Sequence, residues 1–175
     1  MKDKKGFTLL ELLLVLTLLL VVFGVIGLSF TGNIKGNIEL SAKVNKTVEG
    51  LSIYNQIAKQ FFSGYTERRI NIKLDGDRLS FYTRYPLFFP GVVRAEYYIE
   101  KDEDGKEKLI YEEFPYVDGK LGYPGLKKQV LGTFKDVKFE AYKGSRFYNS
   151  FSGKKFPSVI KIYLDGHEFY VYSGR

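Results

Sequence analysis

The sequence has no cysteine, no tryptophan and a single histidine, His167. Without cysteine the chain has no disulfide, no cysteine-ligated zinc site and no thiol nucleophile. One histidine also excludes histidine-rich metal sites and most catalytic triads. His167 follows Asp165-Gly166 in a predicted hairpin turn, so we expect it to be exposed and not catalytic.

Enzyme and cofactor signatures are missing as well. The chain has no G-x-x-x-x-G-K-[ST], G-x-S-x-G or H-E-x-x-H motif. Residues 102–105, Asp-Glu-Asp-Gly, resemble the start of a calcium loop, but the remaining ligand spacing is absent. We interpret this segment as a charged hairpin tip. The sequence therefore predicts a protein that is not an enzyme, with no catalytic residue, metal or cofactor.

The excess of positive charge is modest and is spread along the chain. The 175 residues suit one globular domain with an attachment, and the net charge is +7. From Thr31 onward, 24 Lys and Arg stand against 18 Asp and Glu. Nucleic-acid binding favours a continuous basic groove, so we do not expect nucleic acid among the partners. The basic residues that folding could still bring together are Arg68, Arg69, Lys127, Lys128, Lys154 and Lys155.

Residues 7–30 form an apolar run in which Glu11 is the only charged residue. A helix of this length extends about 36 Å, which is enough to cross a hydrocarbon core of about 30 Å. The preceding lysines, Lys2, Lys4 and Lys5, favour a cytoplasmic N-terminus. We therefore predict a transmembrane helix at 7–30, with the rest of the chain outside the cytoplasm. An uncleaved signal anchor is the alternative.

A charged residue such as Glu11 is energetically unfavourable inside a membrane helix. A carboxylate at the centre of a membrane helix costs about 2.5–3.5 kcal/mol on insertion scales, and such residues usually have a function. The alternative is that the side chain extends to the lipid headgroups. The residues around Glu11 favour a functional role.

Residues 5–12, K-G-F-T-L-L-E-L, resemble the leader of type IV prepilins and type II secretion pseudopilins. The resemblance implies that a prepilin peptidase removes residues 1–6 by cutting between Gly6 and Phe7. It also implies N-methylation of Phe7, and pairing of Glu11 with the terminal amine of a neighbouring subunit. The implied partners are other pilin or pseudopilin subunits and the peptidase. The implied location is the bacterial inner membrane, with a head in the periplasm or outside.

Residues 31–64 are predicted to form the exported part of the N-terminal helix. Gly32 and Gly36 suggest a break, bend or melted stretch first, because each disfavours helix by about 1 kcal/mol relative to alanine. Asn37 is a plausible N-cap, and Ser63-Gly64 a plausible end. One apolar stripe is expected to pack on a sheet. Its residues are Leu40, Val44, Val48, Leu51, Tyr54, Ile57 and Phe61.

From residue 65 to 175 the apolar period changes to two, which predicts a β-rich head. The expected strands are 69–74, 79–85, 92–100, 108–114, 137–142, 159–164 and 168–172. An Asp-Gly pair marks each of the three hairpin turns, and loops are expected at 86–91 and 115–125. The predicted fold class is α+β: a long N-terminal helix packed on an antiparallel sheet, as in pilins.

The C-terminal region distinguishes less well between members of this family. Residues 139–142 and 156–162 loosely resemble J-type minor pseudopilins, although the tryptophan common in the intervening loop is absent here. Two functional classes stay open. The first, which we favour, is a minor pseudopilin in the tip complex of a type II secretion pseudopilus. The second is a minor type IV or competence pilin involved in adhesion, twitching or DNA uptake.

Overall fold

A computed structural model of the chain describes residues 8–115 and 127–174. These residues form one helix followed by ten strands, which confirms the predicted α+β class. The helix, α1, is Leu9–Phe62. The strands are β1 Ile72–Asp75, β2 Arg78–Thr83, β3 Val93–Lys101, β4 Glu107–Pro115, β5 Lys127–Phe134, β6 Val137–Lys143, β7 Arg146–Tyr148, β8 Ser150–Gly153, β9 Val159–Leu164 and β10 His167–Tyr172.

Helix α1 is continuous through residues 31–37, so the predicted interruption is wrong. Gly32, Gly36 and Asn37 all lie inside the helix, and Asn37 is therefore not an N-cap. Each glycine costs about 1 kcal/mol, but stopping and restarting would require a second, unfavourable nucleation step. The chain divides into two compact units, Met1–Thr47 and Val48–Arg175.

The strands of the second unit form two antiparallel sheets instead of one. The six-stranded sheet has the order β5-β4-β3-β2-β1-β8, and the four-stranded sheet has the order β10-β9-β6-β7. The chain passes between the sheets three times: from β5 to β6, from β7 to β8 at Asn149, and from β8 to β9. The β9–β10 turn has positive φ at Asp165 (48°) and Gly166 (88°), as the predicted Asp-Gly hairpin requires.

The last turns of α1 supply one side of the core. Ile53, Ile57 and Phe61 are buried against residues of both sheets. The predicted stripe is correct for Ile57 and Phe61, and Tyr54 also packs against the core. It is wrong for four residues that are exposed: Leu40, Val44, Val48 and Leu51. The apolar periodicity of α1 predicts which apolar side chains face the core. It missed the buried Gly50 and Gln60, which lack the apolar side chains that define such a stripe.

Aromatic side chains and one close backbone approach close the core near the end of α1. The ring of Phe156 meets Phe61 at 5.0 Å and Phe81 at 6.0 Å between ring centroids. Phe156 also covers Gly64, where a Cβ atom would lie 2.6 Å from the ring. Gly64 is therefore needed for this contact because no larger residue fits without movement of the ring.

Three strands had no counterpart in the predicted set: β5, β7 and β8. Strand β5 contains a β-bulge, since Ile110 pairs with Val130 while Leu109 pairs with Gly132. Leu131 is the extra residue. The predicted loop at 115–125 lies outside the described residues, except for Pro115 at the end of β4.

Candidate functional site

Helix α1 begins with a reciprocal pair of hydrogen bonds between Thr8 and Glu11. The Glu11 N–H donates to Thr8 Oγ1 at 3.3 Å, and Glu11 Oε2 accepts the Thr8 N–H at 2.9 Å. The Thr8 hydroxyl also donates to Oε2 at 3.0 Å. This arrangement is a capping box, which satisfies N–H groups that a helix start otherwise leaves without partners. Gly6 and Phe7, the predicted cleavage and methylation residues, lie outside the described residues.

Only one oxygen of the Glu11 carboxylate takes part in these hydrogen bonds. The hydrogen bonds that described residues make to it all end on Oε2, so Oε1 can accept a donor from elsewhere. Around it, the apolar side chains of residues 9–30 are exposed. By length and composition α1 can cross a membrane. Glu11 therefore brings the one charge of an apolar segment to the positive end of the helix.

The second unit contains a buried chain of hydrogen bonds from α1 into the six-stranded sheet. The Gln56 side chain donates to Tyr97 at 3.0 Å, and the Tyr97 hydroxyl donates to Gln60 Oε1 at 2.7 Å. Gln60 Nε2 then donates to the Tyr111 hydroxyl at 2.8 Å. That hydroxyl donates to Glu113 Oε2 at 2.6 Å. Each side chain thus has partners within the core, which offsets the cost of burying polar groups.

Glu113 ends this chain and holds the loop between β2 and β3. Its carboxylate accepts the backbone N–H groups of Leu87, Phe88 and Phe89 at 2.7, 3.0 and 2.7 Å. The residue is completely buried, and an ionised carboxylate can only accept hydrogen bonds. Three amides and one hydroxyl supply the donors that such a buried charge requires.

Both tyrosines in this chain of hydrogen bonds have pKa values well above the ordinary one. Burial raises the pKa of Tyr97, and the charge of Glu113 adds to the increase. Burial also raises the pKa of Tyr111, and its hydrogen bond to Glu113 acts in the same direction. Both hydroxyls therefore stay protonated and can donate.

The loop held by Glu113 forms one wall of an open groove. Tyr85 and Leu87 face the side of α1 that carries Val48 and Leu51, with Lys59 at the polar part of the lining. The groove has a volume of about 460 Å³. Its four apolar residues are all exposed, so this groove can receive an apolar side chain from another protein.

Four of the six basic candidates lie close together. The buried Asn71 accepts the Arg68 N–H at 2.9 Å and donates to the carbonyls of Arg68 and Lys154, both at 2.8 Å. It thereby joins the segments that carry Arg68, Arg69, Lys154 and Lys155, which we call the Asn71 basic cluster. The other two candidates lie on β5, at the opposite edge of the six-stranded sheet.

The acidic tip at residues 102–105 forms a hairpin turn, as expected. Asp102 Oδ1 accepts the N–H groups of Asp104 and Lys106 at 3.1 and 3.0 Å. Within residues 8–115 and 127–174, no group of three His, Asp or Glu side chains is placed to hold a metal ion. His167 is exposed as the first residue of β10.

Sequence reasoning did not identify Gln60 or Glu113. One available signal was alternation: Leu109, Tyr111 and Glu113 are spaced two apart and share the buried face of β4. The pattern indicates that Glu113 points inward. The amides that it binds come from a loop 24 to 26 residues earlier, which no local pattern reveals.

Comparison with known proteins gives one result, and it concerns the N-terminus. Residues 1–27 match the family model described as the prokaryotic N-terminal methylation motif. No curated protein and no solved structure matches the chain. The match includes Gly6, Phe7 and Glu11 and supports the relation inferred from residues 5–12. The looser resemblance to J-type subunits is not confirmed.

Proposed function

We propose that this type IV pilin-like protein is a minor structural subunit of a filament, anchored by residues 7–30 and matured by a prepilin peptidase. The observation that carries the proposal is the methylation motif at residues 1–27. The apolar helix with Glu11 as its only charge is what such a subunit requires. The chain acts through assembly and not through catalysis.

Glu11 supplies the assembly contact in this proposal. Cleavage after Gly6 leaves a positively charged amine on Phe7, and N-methylation keeps that charge. A charge moving through lipid needs a partner of opposite sign. Oε1 of Glu11 can accept the amine of a neighbouring subunit while Thr8 holds Oε2. The capping box thus orients the carboxylate before the neighbour arrives.

The leading assignment for the head is the tip complex of a type II secretion pseudopilus, outside the cytoplasm. Several surface cations are already paired within the chain, among them Lys128 with Glu100 at 3.0 Å and Lys138 with Asp136 at 3.1 Å. The apolar groove between α1 and the loop after β2 is open to a partner. These features favour contacts with other pilin-like subunits.

A second candidate, a minor type IV or competence pilin that handles DNA, is favoured by one observation. The Asn71 basic cluster places four cationic residues on two adjoining segments. Phosphate contacts made by such residues would give DNA affinity that falls steeply with salt.

Processing is tested by co-expression with a prepilin peptidase and intact-mass measurement. The mature chain should lack residues 1–6 and carry one methyl group on Phe7. Gly6→Val should stay uncleaved, because a β-branched residue crowds the scissile bond. Gly32→Ala, inside the helix with nothing within 4 Å of the added carbon, should be processed normally. An unchanged mass with active peptidase present would refute the proposal.

The role of Glu11 is tested by substitutions within α1. Glu11→Leu should insert in the membrane, since it removes a charge, but should not cross-link to neighbouring subunits. Thr8→Val should assemble less well than wild type, because it removes two contacts of the threonine hydroxyl. Thr17→Val is the matched control: its hydroxyl bonds only to carbonyls of its own helix. If Glu11→Leu assembles as wild type does, the carboxylate has no assembly role.

DNA binding separates the two candidates. The full chain in detergent is titrated with single- and double-stranded DNA at increasing salt. The leading assignment predicts weak binding that disappears with modest salt. Tight binding at physiological salt, with a slope indicating several phosphates, would support the second candidate. It should then be lost in Lys154→Ala/Lys155→Ala and retained in Lys127→Ala, at the opposite sheet edge.

A further inference from the structure

The outer face of the four-stranded sheet carries an unusual number of aromatic side chains. Alternate residues of its strands, such as Phe139, Ile160 and Ile162, are buried in the core. The residues between them point outward, where an antiparallel sheet normally presents polar groups to water. The outward aromatic residues, here called the aromatic face, are Tyr142, Phe147, Tyr163, Tyr170 and Tyr172.

Three of these rings form a continuous row. Tyr142 and Phe147 have ring centroids 5.2 Å apart, and Phe147 and Tyr170 are 6.2 Å apart. The row connects β6 and β7 with β10, at the opposite edge of the sheet. Cross-strand aromatic pairs stabilise sheets, but that effect does not require exposed rings. Tyr170 is 38% exposed, and Tyr172, next along the same face, is 66% exposed.

The charged groups among these rings neutralise one another. Lys161 Nζ lies 2.5 Å from Glu140 and 3.5 Å from Glu168. The Tyr170 hydroxyl donates to Glu168 at 2.5 Å. Hydrogen bonding to Glu140 raises the pKa of Lys161, and the bond from Tyr170 lowers the pKa of Glu168. With Lys138, the aromatic face carries two lysines and two glutamates, so its net charge is zero.

This composition disfavours two kinds of partner. Nucleic acid needs cations available for phosphates, whereas Lys161 and Lys138 are both paired with carboxylates. The centres of protein–protein interfaces are rich in aromatic residues but depleted in lysine and glutamate, whereas a Lys161–Glu140 pair lies among the rings here. A partner that matches the face has no charge, has apolar surfaces to stack on rings, and has many hydroxyl groups.

We propose that the aromatic face binds an uncharged polysaccharide. Tyrosine and phenylalanine rings contact the C–H faces of sugar rings, and the tyrosine hydroxyls and the Lys161 and Glu168 side chains exchange hydrogen bonds with sugar hydroxyls. The hydroxyl and carboxylate contacts within the face hold these groups in place before the ligand arrives. The proposal concerns a different part of the chain from the leader and does not depend on its processing.

The test uses the full chain in detergent micelles with three defined probes: cellulose, chitin and starch. Wild type should co-sediment with at least one of them at both low and high salt, since no charge attraction is involved. Tyr170→Ala/Tyr172→Ala should bind that probe about tenfold more weakly, as expected for the loss of two aromatic contacts. Tyr85→Ala is the matched control, because Tyr85 is 40% exposed but lies on the loop after β2.

A second substitution separates the ring from its hydroxyl. Tyr170→Phe keeps the ring and loses the hydrogen bond to Glu168, so it should retain most of the binding that Tyr170→Ala loses. The proposal is overturned if wild type binds none of the three probes. So would equal binding by the double variant and wild type. Binding that single-stranded DNA displaces and that high salt abolishes would assign the aromatic face to nucleic acid instead.

Discussion

The hydroxyl of Tyr111 donates a 2.6 Å hydrogen bond to Oε2 of Glu113, two residues further along the same buried face of β4. The tyrosine is itself held by Gln60 of α1 at 2.8 Å. Through Glu113 the helix is therefore connected to the loop at residues 87–89, which lies on the other side of this carboxylate. Hydrogen bonds from the core therefore hold the loop that forms one wall of the groove.

Replacing Glu113 with glutamine should destabilise the head by about 3 kcal/mol, because hydrogen bonds to a buried charge are worth more than neutral ones. The amide N–H₂ would also face backbone donors. Thermal unfolding of the detergent-solubilised chain, followed by tyrosine near-ultraviolet circular dichroism, measures the change. Glu112→Gln, on the opposite face of the same strand, should stay within about 0.5 kcal/mol of wild type. Equal effects of the two substitutions would contradict the role given to Glu113.

High pH should unfold the head through Tyr97 and Tyr111. Both have pKa values raised above the ordinary 10.0 by burial. Below pH 10 both folded and unfolded states hold these protons, so stability does not depend on them. Above it the unfolded chain releases protons that the folded one keeps, and the free energy of unfolding falls. Absorbance titration should show tyrosines that ionise only on unfolding.

Single tyrosine substitutions show which tyrosines ionise only when the head unfolds. Tyr97→Phe should remove one member from this group, while Tyr172→Phe, which removes an exposed hydroxyl, should leave its amplitude unchanged. If every tyrosine ionised in one step while the near-ultraviolet signal of the folded head persisted, the buried hydroxyls would not be protected as described.

Adding a methyl group at Gly64 should cost about 1–3 kcal/mol, since overpacking forces side chains from their preferred positions. The added carbon would lie 2.6 Å from the Phe156 ring. Phe156→Leu alone should also destabilise the head, because that ring packs on Phe61 and Phe81. The double variant should be more stable than the sum of the two effects predicts. Strict additivity in denaturant titrations would show that the two sites do not interact.

Fragments test which part of α1 belongs to the head. Chains starting at residue 37 or 48 keep Ile53, Ile57 and Phe61, so both should be soluble and folded. A chain starting at residue 65 loses all three buried side chains and should aggregate, because it exposes a large apolar surface. Size-exclusion chromatography and circular dichroism distinguish the outcomes. A monomeric, folded 65–175 fragment would show that the helix is dispensable.

Local sequence signals predicted much of the fold. The Asp165-Gly166 pair indicated a two-residue turn, and both residues have the positive φ that such a turn needs. The apolar run with Glu11 predicted a long helix, and α1 is long and apolar enough to cross a membrane. The methylation motif was recognisable because its leader, glycine, aromatic residue and glutamate are neighbours in the chain.

Other features depend on contacts between distant segments. The strands β7 and β8 are three and four residues long and belong to different sheets, and neither is long enough to establish a period. Gln60 is buried because Tyr97 and Tyr111 bond to it, whereas its polarity predicts exposure. The Asn71 basic cluster likewise depends on the Asn71 side chain, which donates to a carbonyl 83 residues later in the chain.

The bulge in β5 affects how such heads behave when they are crowded. Within the described residues β5 is an outer strand of its sheet, and an unbroken outer strand is a template for irreversible sheet fusion. The extra residue Leu131 interrupts the regular spacing of N–H and C=O groups along this edge, and the exposed Lys127 at the start of the strand adds repulsion between copies. Neighbouring heads that meet at this edge should therefore separate again and not fuse into one continuous sheet.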